Sequence, residues 1–272
     1  MGAISIERLD EISVSLFASA VPVLENSQSA DELVPFVEWH WLKAAGHDLP
    51  GLRATDRLTG LQRALRQGHT TWSDTHSRTA GFIRVRREQM DVENSSWISF
   101  LFGLSRAARN SGINKASANQ LSGVVKEMED NIHWHSRRRR SGLVAYVIHE
   151  SMFEFVVVDT GQGVLASLAS APEFSNLRDH GTALEIAIGT GNSRFGSGAR
   201  RGWGFNDLVV GVANANSRIR FRTGDHLLEI DGHSGSEIVT RRLQRARGVG
   251  FLIAVQVHSG HSEVGTSPAL DR

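Results

Sequence analysis

The stretch FEFVVVDTGQG, Phe153 to Gly163, decides how this chain folds. Phe153, Phe155 and three consecutive valines around a single Glu154 form a short run, dense in β-branched and aromatic side chains, that predicts a strand. Asp159 closes the run, and Gly161 and Gly163 follow at positions where backbone can turn sharply and approach another group. Just upstream, Leu143-Val-Ala-Tyr-Val-Ile148 has the same character, so the two runs predict strands joined by a short turn.

Further upstream the periodicity lengthens. Asn94, Ser95 and Ser96 are candidate caps for a helix carrying Trp97, Phe100, Leu101 and Leu104 and ending near Gly112. A second helix is predicted from Ser117 to His135, with Leu121, Val124, Val125, Met128 and Ile132 as its apolar stripe. Helix, helix, strand, strand is an α+β layout, with helices on one face of a mostly antiparallel sheet.

Glu127, Asn131 and His135 stand four residues apart on that second helix. At ~100° per residue they drift by only about 40° per step, so they can meet one ligand or form one solvated polar face. An amide oxygen is a hard ligand suited to Mg²⁺, and a neighbouring carboxylate can orient and deprotonate a nucleophile. Downstream, Gly196-Ser-Gly198-Ala-Arg-Arg-Gly202-Trp-Gly204 precedes a predicted helix over 205–215. Glycine-rich backbone opening a helix presents N–H groups to an anion, although such a segment can also be a plain loop.

In order, these boxes resemble the ATP-binding domain shared by gyrase, the ninety-kilodalton heat-shock chaperone, histidine kinases and MutL, the GHKL superfamily. They are Glu127-Met-Glu-Asp-Asn131, Asp159-Thr-Gly161-Gln-Gly163 and Arg201-Gly202-Trp-Gly204-Phe205. Gly248-Val-Gly250 before Phe251-Leu-Ile253 looks like the family's last glycine element. The resemblance covers roughly residues 94–258 and implies a Bergerat-type sandwich that binds ATP and Mg²⁺. It implies that Asp159 accepts a hydrogen bond from the adenine amino group, that Gly163 lets the chain pass close beneath the base, and that Gly161 belongs to the same cofactor-binding box. Asn131 would coordinate Mg²⁺, Glu127 would be the base activating water, and Gly202 and Gly204 would offer amides to phosphate with Arg201 or Arg200 adding charge. Leu165 to Arg200 would form a lid. Thr160 and Ile132 depart from the family's usual asparagine and alanine.

Within that superfamily the layout is most similar to stand-alone anti-sigma-factor-type serine kinases. A sensor histidine kinase needs a phospho-accepting histidine on a helical hairpin, and only 55 residues separate His76 from Asn131. A gyrase- or MutL-like machine needs a transducer domain after the last strand, where only His258 to Arg272 is seen. The expected function is therefore an Mg-ATP-binding regulatory protein that hydrolyses ATP or phosphorylates a partner protein. The alternative is a non-catalytic nucleotide-binding or protein-interaction module. Homodimerisation through the N-terminal region is compatible with either.

Composition sets the remaining bounds. Thirty basic residues face 29 acidic ones among 272, so no global field draws the chain to nucleic acid or anionic lipid. Arg137 to Arg140 follows the second helix, where positive charge complements the helix dipole, and a nucleic-acid partner is not expected. His133 and His135 point about 200° apart on a helix, which disfavours a shared metal ion. Cysteine is absent, which removes disulfides, thiolate metal sites and thiol nucleophiles. Neither a signal peptide nor a membrane span is visible, and a cytoplasmic location is expected. Leu9 to Ala20 and Glu32 to Ala45 have helical spacing, and Gly81 to Arg86 alternates like a strand, but the role of residues 1–93 is not legible. Of 27 glycines, 15 lie between 161 and 250, so tight backbone is concentrated there, and 259–272 read as a flexible tail.

Overall fold

The computed structural model describes residues 3–20, 22, 24, 27–56, 58–76, 78–85, 95–115, 118–119, 121–123, 125, 142–149, 152–189, 216–232 and 239–258. The two predicted strands are present as β5 (Gly142–His149) and β6 (Met152–Asp159), paired antiparallel from Gly142 opposite Asp159 to His149 opposite Met152. Both faces of this pair are buried, which is why the sequence is apolar almost without interruption. Val144, Tyr146, Ile148, Phe153, Phe155 and Val157 face one core, and Ala145, Val147 and Val156 face another.

Before β5, β3 (Thr71–Ser73) and β4 (Ala80–Val85) extend the sheet. After β6 come β7 (Ser217–Thr223), β8 (His226–Asp231), β9 (Val239–Gln244) and β10 (Phe251–His258). The eight strands run β3-β4-β5-β6-β10-β7-β8-β9, and every pairing is antiparallel. The last of them, β10, thus occupies a central slot between β6 and β7.

On the large-residue face lies α4 (Ser95–Asn110), the predicted first helix, burying Phe100, Leu104, Ala107 and Ala108. Ala118, Leu121 and Val125, from the predicted second helix, join the same core, and the described residues of 118–125 are helical. The α+β class and the mostly antiparallel sheet with helices packed on it are as expected from the sequence.

The small-residue face is covered by the N-terminal residues, whose role the sequence did not disclose. There α1 (Ile6–Phe17), β1 (Ser27–Ala30), α2 (Leu33–Ala44), β2 (Gly51–Ala54) and α3 (Leu58–Arg66) form a layer in which β1 and β2 pair in parallel. Leu9, Ile12, Leu33, Phe36, Trp39, Leu42 and Leu61 pack with Phe82, Ala145, Val147, Val156, Leu252 and Ala254 of the sheet. Alanines at the contact let the helices approach closely.

Two polar devices fix this layer. Glu154, buried on β6, accepts the N–H groups of Leu33 at 2.8 Å and Val34 at 3.3 Å and the Gln256 amide at 3.0 Å. It supplies the negative cap that Glu32, at the α2 N-cap, does not make with its own side chain. Arg220 and Arg222, two apart on β7 and therefore on one face, are fully buried beneath α1 and α2. Arg220 donates to Asp10 at 2.6 and 3.1 Å and to Glu229 at 2.8 Å. Arg222 donates to Glu38 and, at 2.7 Å, to the Ala246 carbonyl. Burial alone would raise the Asp10 carboxyl, but Arg220, Arg245 and Arg222 hold it below its ordinary value.

Removing one member of such a network strands a charge away from water. Glu38→Ala is expected to cost about 3–5 kcal/mol of unfolding free energy in urea. Glu7→Ala, which breaks the half-exposed contact with Arg218 at 3.5 Å, is expected to cost under about 1 kcal/mol. Equal losses would show that the buried pair carries no special weight.

Candidate functional site

At one end of the sheet, pairing aligns Gly142 of β5, Asp159 of β6, Phe251 of β10 and Thr223 of β7. The chain leaves β6 at Asp159 and turns through Thr160, Gly161 and Gln162 into α5 (Gly163–Leu168). The Gly161 N–H donates to Asp159 Oδ1 at 2.5 Å, which folds the turn back over its own carboxylate. Gly163 has φ +78°, and a β-carbon there would lie 2.9 Å from Thr223 Oγ1 and 3.1 Å from the Gly250 carbonyl oxygen. Only glycine takes this position without strain.

Thr223 ties the turn to the strand beside it. Its hydroxyl donates to the Gly250 carbonyl at 2.8 Å and accepts the Val164 N–H at 3.2 Å. Gly250, with φ +77°, packs so tightly on Asp159 that a β-carbon would overlap the Asp159 carbonyl and lie 2.7 Å from Oδ1 and from the Gly161 nitrogen. A backbone without side chains is therefore pressed against the carboxylate from the β10 side.

Asp159 is 7% exposed. Burial pushes its carboxyl up to about 7, against the opposing pull of the Gly161 N–H. The group changes charge near neutrality: ionised, it accepts a hydrogen bond from an amino group; protonated, it also donates one.

Of the residues singled out in the sequence, Asp159, Gly161 and Gly163 come together in this turn. Glu127, Asn131, Arg200, Arg201, Gly202 and Gly204 lie outside the described residues, as do His133, His135, Arg137 to Arg140 and the predicted helix over 205–215. Of Leu165 to Arg200, which the resemblance makes a lid, the described residues 165–189 contain most of α5, a short 3₁₀ turn and α6 (His180–Ile188), and residues 190–200 lie outside the described set. Leu168, Ala183 and Ala187 give these helices a small core of their own, and Asp179 caps α6 through the Thr182 N–H at 2.7 Å. Apolar spacing over Val164, Leu165 and Leu168 was the available signal. His76 sits in the connection between β3 and β4 rather than on a helix.

Nothing local in the sequence pairs Thr223 or Gly250 with Asp159. Gly248-Val-Gly250 was recognisable as a glycine element, but its partner Asp159 is set by the pairing of β6 with β10. For Thr223 there was no local signal.

Among the described residues no group of three or more His, Asp or Glu side chains could hold a metal ion, and no helix is long and apolar enough to cross a membrane. No protein-family model, no curated protein and no solved structure gives a significant match to the chain.

The environment of Asp159 has a measurable consequence. Its carboxyl holds a proton up to about pH 7 in the fold but only to its ordinary value of 3.8 when unfolded, so the folded state binds more protons between these values. The Asp159 contribution is therefore full in acid and lost as pH rises toward 7, at up to about 1.4 kcal/mol per unit. Asp159→Asn lacks this titration. Its stability relative to wild type, measured in urea from pH 4.5 to 8, should rise with pH and level off above about pH 7. A difference independent of pH would show that the carboxyl is hydrated.

Proposed function

We propose that the chain is an Mg-ATP-binding regulatory protein of the histidine-kinase-like, GHKL type, with the adenine held at Asp159. The observation that carries this is the turn itself: a buried carboxylate at a strand end, closed by the Gly161 N–H and packed on one side by the backbone of Gly250. A buried acceptor at a strand end suits an exocyclic amino group, because the carboxylate gives specificity for a hydrogen-bond donor. Order along the chain adds support. The helical residues of 118–125 pack on the large-residue face, β5 begins at Gly142, directly opposite Asp159, and Glu127 and Asn131 fall between the two in sequence.

In this proposal Asn131 is the protein ligand of Mg²⁺ and Glu127 orients the attacking nucleophile. Gly202, Gly204 and Arg201 receive phosphate. Mg²⁺ when bound neutralises the charge that builds on the phosphates during transfer. Asp159 fits the adenine end by its chemistry; Asn131 suits the ion by ligand type. The product is released phosphate or a phosphorylated partner protein, and a cytoplasmic setting belongs to the same proposal.

Calorimetric titration with ATP and Mg²⁺ tests it. Wild type should bind, Asp159→Asn should bind at least roughly ten-fold more weakly through loss of a charged acceptor, and Glu127→Ala should retain binding while losing turnover of γ-labelled ATP. No heat with wild type, or equal binding by Asp159→Asn, overturns the nucleotide assignment. Binding without turnover in wild type and Glu127→Ala alike leaves a non-catalytic nucleotide module.

A further inference from the structure

The segment 246–250, which presses Gly250 onto Asp159, is held jointly by the N-terminal layer and by β7 with the turn that follows it. The Ala246 N–H donates to the Ser13 carbonyl of α1 at 3.0 Å, and its own carbonyl accepts from Arg222 at 2.7 Å. The Arg247 carbonyl lies 2.7 Å from His47 Nε2, just past α2. Gly248 donates to the Gly224 carbonyl at 2.8 Å, and the Trp41 indole N–H of α2 donates to the Val249 carbonyl at 2.7 Å. Gly250 is bound by Thr223.

Trp41 does more than donate. Its ring fills the space that a β-carbon on Gly248 would need, and the Arg222 guanidinium lies 5.1 Å over the same ring. Arg222 in turn pairs with Glu38, one turn earlier on α2. One helix face, Glu38 and Trp41, thus sets both the charge and the shape against which 246–250 is laid. A continuous chain of contacts runs from α2 through Val249 and Gly250 to Asp159, with no exposed side chain along it.

We propose that Trp41 is a positioning residue for the Asp159 site, fixing Gly250 against the carboxylate so that the N-terminal layer sets ligand affinity from behind the sheet. The consequence for nucleotide binding rests on the function proposed above; the positioning of Asp159 does not. Any partner or conformational change that shifts α2 then acts on the site without touching it.

The test uses the full chain and two readouts. Trp41→Phe keeps an aromatic ring but deletes the N–H to Val249, and Gly248→Ala adds a methyl where the indole lies. Leu61→Ala, in the α3 core of the same layer, is the control for general destabilisation. The Asp159 carboxyl is followed by carbon-13 NMR titration, with its signal identified by its loss in Asp159→Asn. Trp41→Phe and Gly248→Ala should lower the titration midpoint toward an ordinary aspartate, whereas Leu61→Ala should lower the melting temperature and leave the midpoint in place. In calorimetry, the first two should bind Mg-ATP roughly three- to ten-fold more weakly, and Leu61→Ala should bind like wild type. An unchanged midpoint in Trp41→Phe, or equal shifts in all three variants, overturns the proposal. If wild type gives no heat with Mg-ATP the nucleotide assignment fails alone, and the titration still decides the role of Trp41.

Discussion

Two guanidinium groups buried on β7 constrain this molecule more than any other contact. A charge in the interior is tolerated only where opposite charge and hydrogen-bond acceptors meet it. For Arg220 and Arg222 these come from Asp10 of α1, Glu38 of α2, Glu229 of β8 and the Ala246 carbonyl. The N-terminal helices therefore have one satisfactory seat on the sheet, because sliding either of them would leave a cation stranded. Glu154 adds a second fixed point by capping α2 from β6, so the helix is anchored at its N-terminus and near its middle.

How much of this was legible in the sequence follows from whether a feature is local. The strands β5 and β6 and the helix α4 announce themselves because their patterns are complete within one short window. The turn Asp159–Gly163 is equally local, so its participants could be named in advance. By contrast α2 is buried at nine of its twelve positions, which leaves no polar face to reveal which side meets the sheet. On β7, Arg218-Ile-Arg-Phe-Arg222 alternates like a strand with one solvated face, yet Arg220 and Arg222 point into a core. The carboxylates that make this possible lie far away in the chain. Thr223 and Gly250 reach Asp159 only through strand pairing, and composition holds no record of pairing.

The two faces of the sheet divide the work. The large aromatic face carries α4 and the helical residues of 118–125, while the alanine-lined face carries the N-terminal layer. The end of the sheet where Gly142, Asp159, Phe251 and Thr223 align belongs to neither layer alone, since the backbone that shapes it is tethered to α1 and α2. Geometry at such a place can be altered without changing any group that touches a ligand.

The position of β10 governs the order in which this fold can be assembled during synthesis. Its eight residues sit between β6 and β7, so the two halves of the sheet share no edge until Phe251–His258 has been made. Up to that moment the growing polypeptide presents β6 with one side unpaired, rich in valine and phenylalanine, the kind of edge that invites wrong association. Translation must therefore complete the last described strand of the sheet before its central seam can zip.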